Sequence, residues 1–321
     1  MAIDETFDFG LDPDESFDPW EEDDFELDEP HIMTVLGPIA PGELPPANAH
    51  ATVAMLRDPA SQSWVRSPEH QAHALKEIDE AFAVGIGGLV DLNGPQGNYD
   101  SQLLFEIASN APVQIIAATG PRSWVQPNES AILMALDGRD GIDRGPVRAG
   151  LISVSVNDPQ LINAFDAAAI SGLPIVIDVE HLGLRGALKR IEHWKQPVEG
   201  VIFSGIDPNA ESAQEAALEA SAFLLFDGLS GNRERDGAQG NAIVRLVQAG
   251  HGASLLLGYN PHYREQWLSY GGAPGWPYLI EQFPLLLLDR GLRALDVKAI
   301  LVDNPNRAFV IERPTASDFF E

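Results

Sequence analysis

The chain has no cysteine, which excludes disulfides and thiolate metal sites and suits a reducing cytoplasm. It has no basic stretch leading into an apolar run near its start. Its longest apolar run, around PLLLLDRG (284–291), falls far short of the roughly 20 residues that span a bilayer. Neither secretion nor membrane insertion is expected, and the expected location is cytoplasmic. Basic side chains are also few: 20 Lys and Arg stand against 48 Asp and Glu, a net charge of −28. Residues 1 to 30 hold fourteen of the acids and no Lys or Arg, so the rest of the chain carries −14. Even that remainder repels a phosphate backbone, and no nucleic-acid partner is expected. A glycine-rich dinucleotide fingerprint is missing too, because Gly85, Gly87 and Gly88 precede an apolar run instead of opening a helix after one.

What is present divides into two parts. Residues 1–30 interleave their acids with Phe7, Phe9, Phe17, Trp20 and Phe25. Self-repulsion and prolines argue against a packed element there. The segment reads either as a disordered solubilising arm or as a docking segment, since aromatics among acids suit a basic, apolar groove on a partner or on the protein's own body. Residues 31–321 alternate short apolar runs with amphipathic stretches. IMTVLG (32–37) reads as a preliminary strand, followed by the run ending at His50 and by GGLVDLN (87–93), PVQIIAATG (112–120), RAGLISVSV (148–156), PIVIDVE (174–180), GVIFSG (200–205), SAFLLFD (221–227) and SLLLGYN (254–260).

Helical signals fill the gaps. SPEHQAHALKEIDEAF offers Ser67 as N-cap and Pro68 as first helical residue, with Leu75, Ile78 and Phe82 on one face. NDPQLINAFDAAAISG ends on glycine, and 183–196, 208–220, 236–250 and 277–303 follow as further helices. Near-continuous apolar strands between helices predict a parallel sheet covered on both faces. Eight repeats predict closure into a (β/α)8 TIM barrel, a fold that takes about 250 residues.

In such a barrel the active site lies at the C-terminal strand ends. The polar residues there are His50 and Thr52, Asp91 and Asn93, Thr119, Ser153, Asp178 and Glu180, Ser204, Asp227 and Asn260. Asp178 and Glu180, two apart on a strand, point to one side.

Six segments in order, TVLGPIAPGEL (34–44), GGLVDLNGPQGNYD (87–100), APVQIIAATG (111–120), GPVRAGLI (145–152), LPIVIDVE (173–180) and LVDNPNRAF (301–309), resemble the phosphotriesterase family of the amidohydrolase superfamily. The resemblance implies a binuclear metallohydrolase, normally with zinc, whose ions are held by a histidine pair on the first strand, a carbamylated lysine or carboxylate on the fourth, histidines on the fifth and sixth, and an aspartate on the eighth. Carried onto this chain, those positions fall on His50 and Thr52, Ser153, Asp178, Gly205 and Asn260. One of the six keeps its residue.

The expectation is therefore a degenerate metal site, with no zinc or other cofactor, in a mouth that stays polar because the replacements are polar. The first functional reading is a non-hydrolytic pseudoenzyme that binds a small molecule in the mouth or a protein partner through residues 1–30. The second is a metal-free or mononuclear enzyme of hydrolase or lyase type, in which His50 beside Asp178 forms an acid–base dyad. A third is an assembly or scaffold protein. Thr52, Ser153, Glu180 and Asn260 are candidate ligand contacts in the mouth, and Arg122, Trp124, Arg233, Arg235, His262 and Tyr263 are candidates on the rim. His70 and His73 are expected to face solvent. The resemblance also allows a homodimer.

Overall fold

The apolar runs form strands because their β-branched and leucine side chains can be buried on both faces of a parallel sheet. A computed structural model describes residues 29–53, 56–57, 64–65, 68–94 and 100–312; residues 1–28 of the arm, Ser67 and the last nine residues lie outside them. The barrel strands are β1 (Ala47–Ala51), β2 (Gly88–Asp91), β3 (Gln114–Thr119), β4 (Leu151–Ser155), β5 (Ile175–Asp178), β6 (Ile202–Ser204), β7 (Phe223–Phe226) and β8 (Leu255–Leu257). They pair in sequence order and all in parallel, as expected for a (β/α)8 barrel. The IMTVLG segment contributes Ile32–Thr34 to an antiparallel hairpin with Gly37–Ile39, which meets the start of β3 through the Val35 N–H on the Ile115 carbonyl at 2.7 Å.

Strand periodicity sorts the side chains. Ala47, Ala49, Val90, Ile116, Ala118, Leu151, Val176, Ile202, Leu225 and Leu256 form one buried cluster inside the barrel, joined by Ile32, Leu44 and Phe309. Alternate residues such as Leu89, Ile115, Ile152, Ile177, Phe203 and Leu224 join a larger cluster with the helices. In the pairing of β1 with β2 the register shifts between Asn48 and Ala51. Such a bulge re-aims the residues beyond it, so that His50 turns inward although Ala47 and Ala49 do as well.

The seam between β8 and β1 is closed by a side chain. The Asn48 amide, fully buried, donates to the Tyr259 carbonyl at 2.8 Å and accepts the Tyr259 N–H at 2.9 Å. This copies the donor–acceptor pair of a backbone ladder. Gly258 permits the approach, since a Cβ there would lie 2.7 Å from the His50 Cβ and 2.9 Å from its nitrogen.

The first helix, α1 (Pro68–Ala83), begins at Pro68 as expected. His70 and His73 do not face solvent, however. His70 is 2% exposed, its ring 4.9 Å from that of Trp267. His73 stacks on Tyr270 at 3.6 Å and meets the Ser269 carbonyl at 2.8 Å, while the Ser269 N–H donates to Glu77 at 2.8 Å. These residues of α1 grip the loop after β8, which arrives from almost 200 positions away and cannot be seen in helix periodicity. The 277–303 stretch is likewise not one helix. It breaks into Tyr278–Glu281, Phe283–Asp289, Ala294–Lys298 and a π turn at Ala299–Asp303. Pro284 opens the second piece and Gly291, with φ of 95°, follows it. Among the described residues, no helix is long and apolar enough to cross a membrane.

Two outcomes follow. Asn48→Ala leaves two backbone groups of Tyr259 without partners in a dry seam, and urea unfolding should show a loss of about 2–4 kcal/mol. Burial lowers the pKa of His70 from its ordinary 6.5 to about 4. The unfolded chain takes up this proton as pH falls through 6.5 and the folded chain does not until about pH 4, so the stabilisation is complete above pH 6.5 and declines below it. Between pH 7 and pH 5 the protein should lose on the order of 1–2 kcal/mol more than a His70→Phe variant, in paired denaturation curves.

Candidate active site

The same alternation that buries Leu151, Val176, Ile202, Leu225 and Leu256 in the barrel places the residue two further along each strand in the next layer up. Those residues are Ser153, Asp178, Ser204, Asp227 and Gly258, and they floor the C-terminal mouth. His50 joins them through the bulge. Its Nδ1–H donates to Asp227 Oδ2 at 2.7 Å, and its Nε2 accepts the Asn260 amide N–H at 2.9 Å. Each ring nitrogen of His50 thus has one protein partner, the Asp227 carboxylate on Nδ1 and the Asn260 amide on Nε2. Asp227 also accepts the Gly205 N–H on Oδ1 at 3.0 Å. The two side chains of the pair are 24% and 7% exposed, so the dyad sits at the base of the mouth with one edge open.

The carboxylate beside His50 is therefore Asp227, and the expected pairing with Asp178 is corrected. Barrel geometry gives the reason: β1 and β5 stand on opposite sides, whereas closure brings β1 against β8 and within reach of β7. Asp227 was visible in the sequence as a polar residue ending an apolar strand. Its role was not, because nothing local tells which two strands become neighbours on closure. Asp178 is half-buried and its Oδ1 accepts the Glu180 N–H at 2.9 Å. Glu180 itself is exposed.

Around the dyad, the other expected residues divide. Asn260 is 8% exposed; its amide nitrogen serves His50 and its Oδ1 is buried without a partner. The Thr52 hydroxyl accepts the Asn93 amide at 2.9 Å, and the same amide donates to Asp91 at 2.7 Å. Asp91 in turn accepts the Val53 N–H at 3.2 Å, and burial raises its pKa. This brace fixes the backbone just past His50. Ser153 is half-buried on β4.

Arg122 is not a rim contact. It is 1% exposed and forks onto Asp137 at 2.8 and 3.2 Å, with Asp143 at 2.9 Å, while Thr119 also donates to Asp137. A guanidinium so enclosed holds the loop after β3 against the helix Pro127–Asp140 (α2), and the loop position alone did not betray the two acids waiting for it. Arg233 pairs with Asp289 at 2.5 Å. Trp124 is 64% exposed on the rim. His262 and Tyr263 are half-buried in the loop after β8, where both backbone N–H groups donate to Gln266, at 2.9 and 3.0 Å.

Gly205, at the end of β6, has φ of 70°, and a Cβ on it would lie 2.7 Å from Asp178 Oδ1. Its position holds no side chain and has no space for one. Among the described residues, no three His, Asp or Glu side chains converge in a way that could hold a metal ion.

Comparison with known proteins agrees with this architecture. A curated N-acetyltaurine hydrolase from Salmo salar is 22% identical over 346 residues, covering 86% of this chain and 97% of that protein. Among solved structures, an amidohydrolase from Mycoplasma synoviae superposes with a TM-score of 0.75 at 21% identity, covering 88% of this chain and 93% of its own. A lactonase from Listeria monocytogenes gives 0.72 at 18% identity, with 88% and 100% covered. The model of the phosphotriesterase family matches residues 30–309, nearly the whole barrel, and the chain belongs to that family.

Proposed function

We propose that this chain is a non-hydrolytic member of its family, a pseudoenzyme whose mouth binds a small molecule without a binuclear metal centre and whose acidic arm serves as a docking element for a protein partner. The observation that carries the reading is the occupation of His50. A metal ligand must offer a free imidazole lone pair, and here one ring nitrogen donates to Asp227 while the other accepts from Asn260. The remaining positions add little. Thr52 and Ser153 are neutral alcohols, Asn260 is an amide, Gly205 has no side chain, and Asp178 is the one carboxylate. Two divalent ions about 3.5–4 Å apart need anionic bridging to offset their repulsion, and this donor set does not fit them.

A second reading is favoured by the 2.7 Å contact of His50 with Asp227. A carboxylate on Nδ1 fixes the tautomer and raises the basicity of Nε2, which is the arrangement of a metal-free acid–base catalyst. Asp227 replaces Asp178 in that role. The amide hydrolase named among the relatives supplies the obvious substrate class to assay.

Protein purified without chelator should contain well under one equivalent of zinc by plasma emission analysis and should not turn over N-acetyltaurine or simple lactones. About two equivalents with chelator-sensitive turnover would refute the proposal. Turnover that persists in chelator and disappears in His50→Ala and Asp227→Asn would select the second reading. Independently, Gly205→Ala should cost about 1–3 kcal/mol in urea unfolding, from its positive φ and the crowding against Asp178.

A further inference from the structure

We infer that residues 24–28 of the acidic arm, DFELD, dock on the chain's own barrel, with Phe25 and Leu27 in an apolar groove between two wall helices. The inference rests on the reading of the arm as a docking element and deepens it, by naming where the arm sits when no partner holds it. The groove has a volume of about 410 Å³. It runs between α2 and α3 (Leu161–Ser171), floored by Met33, Leu173 and Ile311 and walled by Ile132 and Ile170. The floor is at most 5% exposed, but Ile132 and Ile170 are 58% and 51% exposed. Single exposed apolar side chains are ordinary on a surface, whereas two on adjoining helices that line one apolar groove mark a face suited to being covered.

The arm joins the barrel at this groove. His31, one of the lining residues, exchanges two backbone hydrogen bonds with Ile311, at 3.3 and 2.7 Å, and its Nδ1–H donates to the Glu29 carbonyl at 2.8 Å. Glu29 and Pro30 are exposed, and residues 1–28 precede them, outside the described residues. Phe25 stands six positions before His31, a separation of about 20 Å at full extension, so the groove is within its reach. A tether this short sets an effective concentration on the order of millimolar, and a contact of only millimolar intrinsic strength then keeps the arm docked about half of the time.

Pattern and charge fit the same surface. Alternate side chains of an extended chain point to opposite sides, so DFELD offers Phe25 and Leu27 on one face and Asp24, Glu26 and Asp28 on the other. None of the residues lining the groove is acidic and Arg139 is among them, in a chain of 48 acids and 20 bases. Arg139 pairs with its neighbour Asp140 at 2.7 Å, but both side chains are exposed, and such a pair is readily exchanged for another carboxylate. The Asp140 carboxyl is held below its ordinary range by the hydrogen bond from Arg139 and by the charges of Arg139, Arg144 and Arg148, which gathers three arginines at this end of the groove. Among the described residues, Arg144 and Arg148 take part in no ion pair. A second copy of the chain would bring its own net charge of −28 to this face and be repelled, whereas the tethered arm brings its acids to these arginines.

Methyl NMR of the full-length chain tests this, with the isoleucine δ1 carbons labelled and Ile132 and Ile170 assigned through Ile132→Val and Ile170→Val. Phe25→Ser combined with Leu27→Ser should shift both methyl signals, because the aromatic ring leaves the groove, while the core signals of Ile115 and Ile177 stay in place. High salt should move the Ile132 and Ile170 signals of the unaltered chain part of the way in the same direction, since it screens the arginines from the arm. Unmoved Ile132 and Ile170 signals in the double variant would overturn the inference. So would a docked signal that grows with protein concentration, which marks a second copy, or one abolished instead by Phe319→Ser with Phe320→Ser, which marks the segment after Glu312. Those results leave docking of the arm on a partner standing; retention of that partner after deletion of residues 1–28 overturns that reading instead.

Discussion

Each ring nitrogen of His50 is held by a different strand end: Nδ1 by Asp227 beyond β7 and Nε2 by Asn260 beyond β8. That double hydrogen bond determines what the mouth can do. It aligns the imidazole with a carboxylate and leaves the far oxygen of Asn260 without a partner. None of this would form if β1 were not drawn against β8, and the contact that draws it there is the Asn48 amide on the Tyr259 backbone. Closure of the barrel and the chemistry of its mouth therefore share one seam. The bulge that frees Asn48 to bridge the seam is the same irregularity that turns His50 inward.

Electrostatics also shapes the mouth. Asp178 and Asp227 both flank the glycine backbone at its floor. The acids are tolerated because the mouth is partly open to water and because Asp227 is hydrogen-bonded twice. Deeper in the structure, where water is excluded, charge is handled differently: Arg122 is enclosed by Asp137 and Asp143. One fold thus holds a buried guanidinium between two carboxylates and, at a partly open mouth, two acids beside one histidine.

Much of this was legible in the sequence. Apolar runs such as Ile175–Asp178 and Leu255–Leu257, separated by amphipathic stretches, indicated the parallel barrel, and the polar residue ending each run indicated the mouth. Six ordered segments indicated the family. What escaped the sequence were contacts decided by closure or by distant loops. Asp227 could be named as a strand-end acid, but its choice as partner of His50 depends on which strands meet. His70 and His73 looked like the polar face of a helix because the aromatic loop that covers them, around Trp267 and Tyr270, lies far along the chain. Arg122 looked like a rim contact because its acids sit on α2 and in the turn after it. Local patterning determined the elements, and the partners were determined by packing.

Both nitrogens of the His50 imidazole are engaged by protein groups. Nitrogen-15 NMR of the histidine side chains, with His50 assigned by comparison with a His50→Gln variant, tests it most directly. The spectrum should show Nδ1 protonated and Nε2 as a bare acceptor, and both signals should stay in place when zinc is added in slight excess. A stoichiometric shift of Nε2 on adding zinc would contradict the account, because it would show that the histidine is free to leave Asn260 and serve an ion.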